Sequence, residues 1–170
     1  MIKQGWILAQ QGAVQEAMAQ MHQGLSIWRT AAGEMGLPGN LARLADVYGK
    51  AGRAEEGLHI LAEALAAIDN NAELYSAAEV YRVQGELLLL QATPDTSPAE
   101  TSFQRALDVA RHQQAKSLEL RAAMSLARLW QHQGKRPQAH QMLAESYGWF
   151  TEGFDTPDLQ DAKALLAALA

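Results

Sequence analysis

Gly57-Leu58-His59-Ile60-Leu61-Ala62-Glu63-Ala64-Leu65 carries the pattern that decides the fold. A small residue is followed by a bulky apolar one four positions on, a second small one at seven, and an apolar one directly after. The same register recurs around Ala17, Ala99 and Ala139, at spacings of 40, 42 and 40 residues. The bulky position holds Met21, Leu61, Phe103 and Leu143. The second small position holds Gly24, Ala64, Ala106 and Ser146, followed by Leu25, Leu65, Leu107 and Tyr147. Small residues at i and i+7 let a helix approach its neighbour closely, while the bulky ones fill the groove between them. Such a unit cannot bury its apolar face alone, so it stacks on copies of itself.

Outward from these anchors, a second marker identifies the partner helix of each hairpin. Gly5, Ala45, Gly85 and Ala127 are small, with Leu8, Tyr48, Leu88 and Trp130 three positions later. Gly12, Gly52 and Gly134 are placed to end the first helices of hairpins one, two and four in a left-handed cap. In the third hairpin Ala92-Thr93-Pro94-Asp95-Thr96-Ser97-Pro98 replaces that turn, because two prolines forbid a continuous helix. Ser97 then reads as an N-cap, with Pro98 at the first helical position and Glu100 closing a capping box. Gly33 to Gly39 reads as a loop with Asn40 capping a helix from Leu41. Asp69-Asn70-Asn71 reads as a break, with Asn70 and Glu73 at capping-box spacing. The expectation is one all-α domain over 1–170, with hairpins at about 2–32, 40–70, 72–113 and 115–149. Thr156-Pro157 opens a last amphipathic helix, about 156–169, placed to cap the stack.

Composition narrows the function classes. Hydrophobic residues make up 48% and charged ones 19% of the 170, the balance of a folded chain. A net charge of −5 argues against a general nucleic-acid binder, which needs clustered Lys and Arg. The absence of cysteine removes disulfides, thiolate nucleophiles and Cys-based zinc sites, and fits a reducing cytoplasm. The longest apolar run is Leu87 to Leu90, so no membrane span is expected. Met1-Ile2-Lys3-Gln4-Gly5-Trp6 lacks the length and cleavage pattern of a signal peptide. It starts inside the first helix of a repeat and reads as a piece of a longer chain. Ile2, Trp6 and Met18 are therefore expected to leave apolar surface, with a homodimer through the first hairpin as one consequence.

From about residue 2 to 147 the pattern resembles the tetratricopeptide (TPR) repeat: small, large three later, turn glycine, then Ala, bulky, small, apolar. The usual repeat is about 34 residues long. These repeats are longer and lack the closing proline, which implies longer second helices. The resemblance implies a TPR-like right-handed superhelix of four antiparallel helical hairpins plus a C-terminal capping helix, and a noncatalytic protein-interaction role. Lengthened repeats of this kind resemble those in large bacterial signalling proteins, where they follow a nucleotide-binding switch domain. Gln114-Ala115-Lys116-Ser117-Leu118-Glu119-Leu120-Arg121-Ala122-Ala123-Met124-Ser125-Leu126-Ala127-Arg128-Leu129-Trp130 resembles the C-terminal region of bacterial multidomain adenylate or guanylate cyclases. So does Tyr147-Gly148-Trp149-Phe150-Thr151-Glu152-Gly153-Phe154-Asp155-Thr156. That likeness implies a cytoplasmic regulatory module whose partner is a protein or peptide segment, the upstream switch domain of the parent chain among the candidates. It implies no catalysis here, since neither a Walker lysine motif nor cyclase metal carboxylates occur in the sequence.

The residues themselves offer no catalytic, metal or cofactor constellation. Glu56 and His59 have Glu-x-x-His spacing, but a di-iron site needs a second copy and facing carboxylates. Gly33, Gly36 and Gly39 do not lead into the Lys-Ser/Thr of a phosphate loop, and Gly49-Lys50 is followed by Ala51. Trp6, Trp28, Trp130 and Trp149 are expected mainly as groove-filling core, with Trp6 off the packing face. The better candidate is the concave face, lined by first helices. Its outward positions are Arg43, Asp46 and Lys50, then Glu79, Arg82 and Glu86, then Arg121, Arg128, Gln131 and His132. Mixed signs there suit a polar peptide or a small anionic ligand, with Arg offering bidentate hydrogen bonds. The bland alternative is a solvated face with the intrahelical pairs Glu79–Arg82 and Arg82–Glu86. A small-molecule sensor, with a metabolite between hairpins, is the second functional reading. The carboxylate clamp of chaperone-binding repeats does not carry over, because its lysine and asparagine positions fall on Ile2 and Trp6.

Overall fold

The small-and-bulky register folds each segment back on itself as a pair of helices. The computed structural model describes residues 1–32, 35–71, 74–94 and 96–170. Its helices are α1 (Ile2–Gln10), α2 (Val14–Ala32), α3 (Leu37–Lys50), α4 (Ala54–Asn71), α5 (Ala77–Leu89), α6 (Thr96–His112), α7 (Lys116–His132), α8 (Arg136–Tyr147) and α9 (Pro157–Leu169). A 3-10 turn, Leu74–Ser76, leads into α5. No strand occurs among the described residues, and no helix there is long and apolar enough to cross a membrane.

Helices pair as α1 with α2, α3 with α4, α5 with α6 and α7 with α8. The first helices also touch one another in order, α1 to α3 to α5 to α7, and α9 continues that row against α7. Second helices share no comparable contact among the described residues. The first helices therefore form the tight inner row of a curved stack, and the second helices splay on its outside. The anchors sit where this geometry needs them. Ala17, Ala99 and Ala139 are fully buried, as are Met21, Leu61, Phe103 and Leu143. A Cβ on Gly5 would stand 2.9 Å from the Ala17 carbonyl oxygen, so the α1–α2 approach depends on its absence.

Gly12, Gly52 and Gly134 adopt φ of 90°, 73° and 77°, the left-handed caps that end α1, α3 and α7. The α6–α7 turn has no glycine. Gln114 takes the left-handed conformation instead, at φ 55°, and the Ala115 N–H closes the turn on the Ala110 carbonyl at 2.9 Å.

Several capping expectations fail. Helix α3 begins at Leu37, because Gly36 turns the chain at φ 69° and Pro38 fits the first helical turn. Asn40 thus lies inside the helix, buried, and accepts from Arg43 Nη1 at 3.1 Å. Helix α6 begins at Thr96, which leaves Ser97 within it. Glu100 does not turn back to cap. It accepts from Trp130 Nε1 at 2.8 Å and Gln133 Nε2 at 3.2 Å, joining α6 to α7. Asp69-Asn70-Asn71 is helical rather than a break. The Asn70 side chain, Glu73, Gly33 and Asp95 lie outside the described residues.

Trp130 and Trp6 pack against the core, but two of the tryptophans and the first hairpin need correction. Trp28 is 37% exposed and donates to the Met35 carbonyl at 2.8 Å, and Trp149 is 58% exposed. Ile2 and Met18 are buried; the apolar side chains left uncovered in this hairpin are Met1, Ile7, Ile27 and Trp28.

Candidate functional site

The inner row of helices encloses a half-open groove of about 840 Å³. Helix α1 contributes Lys3, Trp6 and Ile7; α3 contributes Gly39, Arg43 and Asp46. Tyr75 and Ser76 come from the turn before α5 and Glu79 from its first turn. Lys116, Ser117, Leu118 and Arg121 come from the start of α7. These helix starts gather because successive first helices pack side by side in one direction, so equivalent turns share an edge. A second hollow of about 550 Å³ adjoins it, lined by Met1, Ile2, Gly24, Ile27, Trp28 and Ala31 together with Lys3, Gly39, Arg43, Tyr75 and Ser76. The five shared residues form a saddle between the two. Tyr75 stands there 86% exposed, its ring free to contact an occupant.

The groove floor is held by ion pairs that cross repeats. Glu79 accepts from Arg82 at 2.8 and 3.0 Å and lies 3.0 Å from Arg121 Nη2 on the next first helix. Arg82 also faces Glu86 at 3.5 Å, and Ser125 Oγ of α7 donates to Glu86 Oε1 at 2.6 Å. The intrahelical pairs anticipated as a solvated face are thus formed but sunk: the Arg82 side chain is 11% exposed. Burial pushes the Glu79 carboxyl up, yet the hydrogen bonds from Arg82 and the charges of Arg82, Arg121 and Arg43 outweigh it and hold it below the ordinary range. Burial likewise opposes the Arg82 charge, and the Glu79 hydrogen bonds overcome it, raising its affinity for the proton. Toward the other end, Lys50 pairs with Asp46 at 3.2 Å and donates to Gln10 of α1 at 2.9 Å.

The ten concave-face residues therefore divide. Arg43, Asp46, Glu79 and Arg121 meet in the groove, while Lys50, Arg82 and Glu86 line a smaller hollow beside it with Asp46. Gln131 instead donates to the Ala168 carbonyl of α9 at 3.5 Å, and the exposed Arg128 and His132 line neither. Missed from the sequence were Lys3, Tyr75, Ser76 and Lys116, which sit at helix starts where a heptad-like count from the packing face does not reach. Glu56, the carboxylate of the Glu-x-x-His pair, is engaged by Arg53, and His59 faces a shallow hollow with His22 and Tyr48. No cluster of three His, Asp or Glu suited to a metal occurs among the described residues.

No protein-family model and no curated protein sequence matches the chain. Solved structures do. A Podosopora anserina kinesin light chain-like protein with nearly identical TPR-like repeats superimposes with a TM-score of 0.65 at 19% identity, covering 99% of this chain and 82% of that one. A variant of that protein superimposes with a TM-score of 0.71 at 16% identity over the same shares. At this identity the likeness speaks for architecture: the chain has an all-α, TPR-like repeat fold.

Proposed function

We propose that the chain is a noncatalytic protein-interaction module, whose inner groove receives an extended segment of a partner protein. The observation that carries this reading is the groove itself, half-open, walled by the four successive first helices and floored by ion pairs that fix its shape. A preformed site of this kind binds without the entropic cost of ordering its own walls. Its apolar sides give contact area, and its charged residues give register. The resemblance of the last hairpin to bacterial cyclase–ATPase chains supports a regulatory role inside a cytoplasmic signalling protein, with the upstream switch domain as one source of the segment.

Photo-crosslinking tests the reading. A benzophenone side chain at position 118, in the groove, is expected to crosslink a partner protein or the parent chain's own upstream domain, whereas one at the outward position 138 is not. Equal labelling from both positions would remove the groove from the function. The groove volume also lies in the range of about 300–1,000 Å³ typical of small-ligand sites, which favours the metabolite-sensor reading as the second choice. A thermal-shift screen of anionic metabolites separates the two. Stabilisation lost on Arg121→Glu supports a sensor, and no shift with any compound supports the peptide reading.

A further inference from the structure

We infer that the segment taken by the groove carries a carboxylate with apolar side chains on both sides of it, the carboxylate seated between Lys3 and Arg43. This deepens the peptide-groove reading and rests on it. The two hollows meet at a saddle that includes Lys3, Arg43, Gly39 and Ser76. Elsewhere in the groove the cations are already committed: Arg121 to Glu79, Lys116 to Glu119 at 2.8 Å. At the saddle no ion pair holds Lys3 or Arg43 among the described residues, although the Arg43 charge also acts on Glu79. Arg43 donates to the neutral Asn40. In a chain of net charge −5, the two groove cations without an ion pair among the described residues thus share the saddle.

The saddle floor points to the same chemistry. Ser76 is 9% exposed, and its buried Oγ has no hydrogen-bond partner among the described residues. An unmatched buried hydroxyl is costly, and an acceptor arriving at the saddle relieves that cost once the side chain turns toward it. Gly39 has no side chain above this point; a Cβ there would press on Ser76 Cβ at 3.2 Å. Lys3 and Arg43 supply charge-assisted donors, which favour a carboxylate over a neutral group. To one side lie Trp6, Ile7 and Leu118, to the other Ile27 and Trp28. A compact ligand fills one hollow, whereas an extended chain of a few residues, at about 3.3–3.6 Å each, crosses the saddle and reaches both.

Selection of a random peptide library on the immobilised chain tests this. Enriched peptides are expected to share an Asp or Glu between two apolar residues. A synthetic representative should lose about tenfold or more in affinity when Lys3→Glu and Arg43→Glu are combined. Both side chains are exposed, so the double variant should keep the parent circular dichroism and melting point. Repeating the selection on it should enrich Lys or Arg at the central position. Groove-binding peptides, identified by loss on Leu118→Arg, that lack an acidic residue or keep their affinity for the double variant overturn the inference while sparing the groove. A selection that enriches nothing overturns the peptide-groove reading and this inference with it.

Discussion

At the residue scale the stack depends on missing methyl groups. A Cβ on Gly85 would enter the Phe103 ring, which is itself fully buried at the α5–α6 contact and has no free direction to move. Overpacking a filled core costs about 1–3 kcal/mol. Alanine normally gains roughly 0.5–1 kcal/mol over glycine inside a helix, so steric conflict and propensity oppose each other here. The conflict should win because a ring cannot fold aside as a methionine chain does. Gly85→Ala is expected to lower stability by about 1–2 kcal/mol in urea unfolding, and adding Phe103→Leu should recover part of it. A Gly85→Ala chain as stable as the parent would mean that the two helices separate at little cost. This position was legible in the sequence, because Gly85 and Phe103 fall on the two markers of the repeat.

At the element scale, legibility fades where turns are made by means other than glycine. The three glycine caps stood out because a left-handed residue is rarely anything else. The α6–α7 turn hid because Gln114 takes that conformation, and contacts across the turn hold it. Glu119 of α7 accepts from Arg111 of α6 at 3.1 Å and from Lys116 at 2.8 Å. Burial pushes the Glu119 carboxyl up, and these hydrogen bonds outweigh it and hold it below 4.5. A carboxyl lowered in the folded state stabilises when ionised. Its contribution is complete above the unfolded value near 4.5 and disappears as pH falls through the folded value. Glu79 and Glu100 are lowered in the same direction. The melting temperature should therefore hold near neutral pH and fall progressively below about pH 4.5. Glu119→Gln should lower it at pH 7 and shrink the difference between pH 7 and pH 3. An unchanged difference in that variant would show that Glu119 takes no part in the acid response. The concave-face residues were legible to the same partial extent. Helical spacing found the positions that face inward, but not which of them neighbouring helices would claim, as α9 claims Gln131.

At the scale of the whole molecule, a stack of nearest-neighbour units keeps its ends only if something covers them. Helix α9 buries Leu159, Ala162, Leu165 and Leu169 and packs on α7 and α8. It also brings Asp158 to 4.0 Å from Arg121 and the Ala168 carbonyl to Gln131, so it steadies the helix that forms one groove wall. Burial of a leucine is worth roughly 1.5–3 kcal/mol as an upper estimate, so removing residues 156–170 should cost several kcal/mol. For a chain of this size that lowers the melting temperature by about 10 °C. In a linear stack the loss falls unevenly: amides of α7 and α8 should exchange faster with solvent, while those of α3 and α4 keep their protection. The uncovered face of α7 and α8 should also drive association in sedimentation. Because Leu118 and Arg121 sit on α7, the same truncation should weaken groove binding although no groove residue is deleted. Uniform loss of protection along the whole chain would instead mean that the hairpins fold as one cooperative block, with α9 supporting α1 as much as α7.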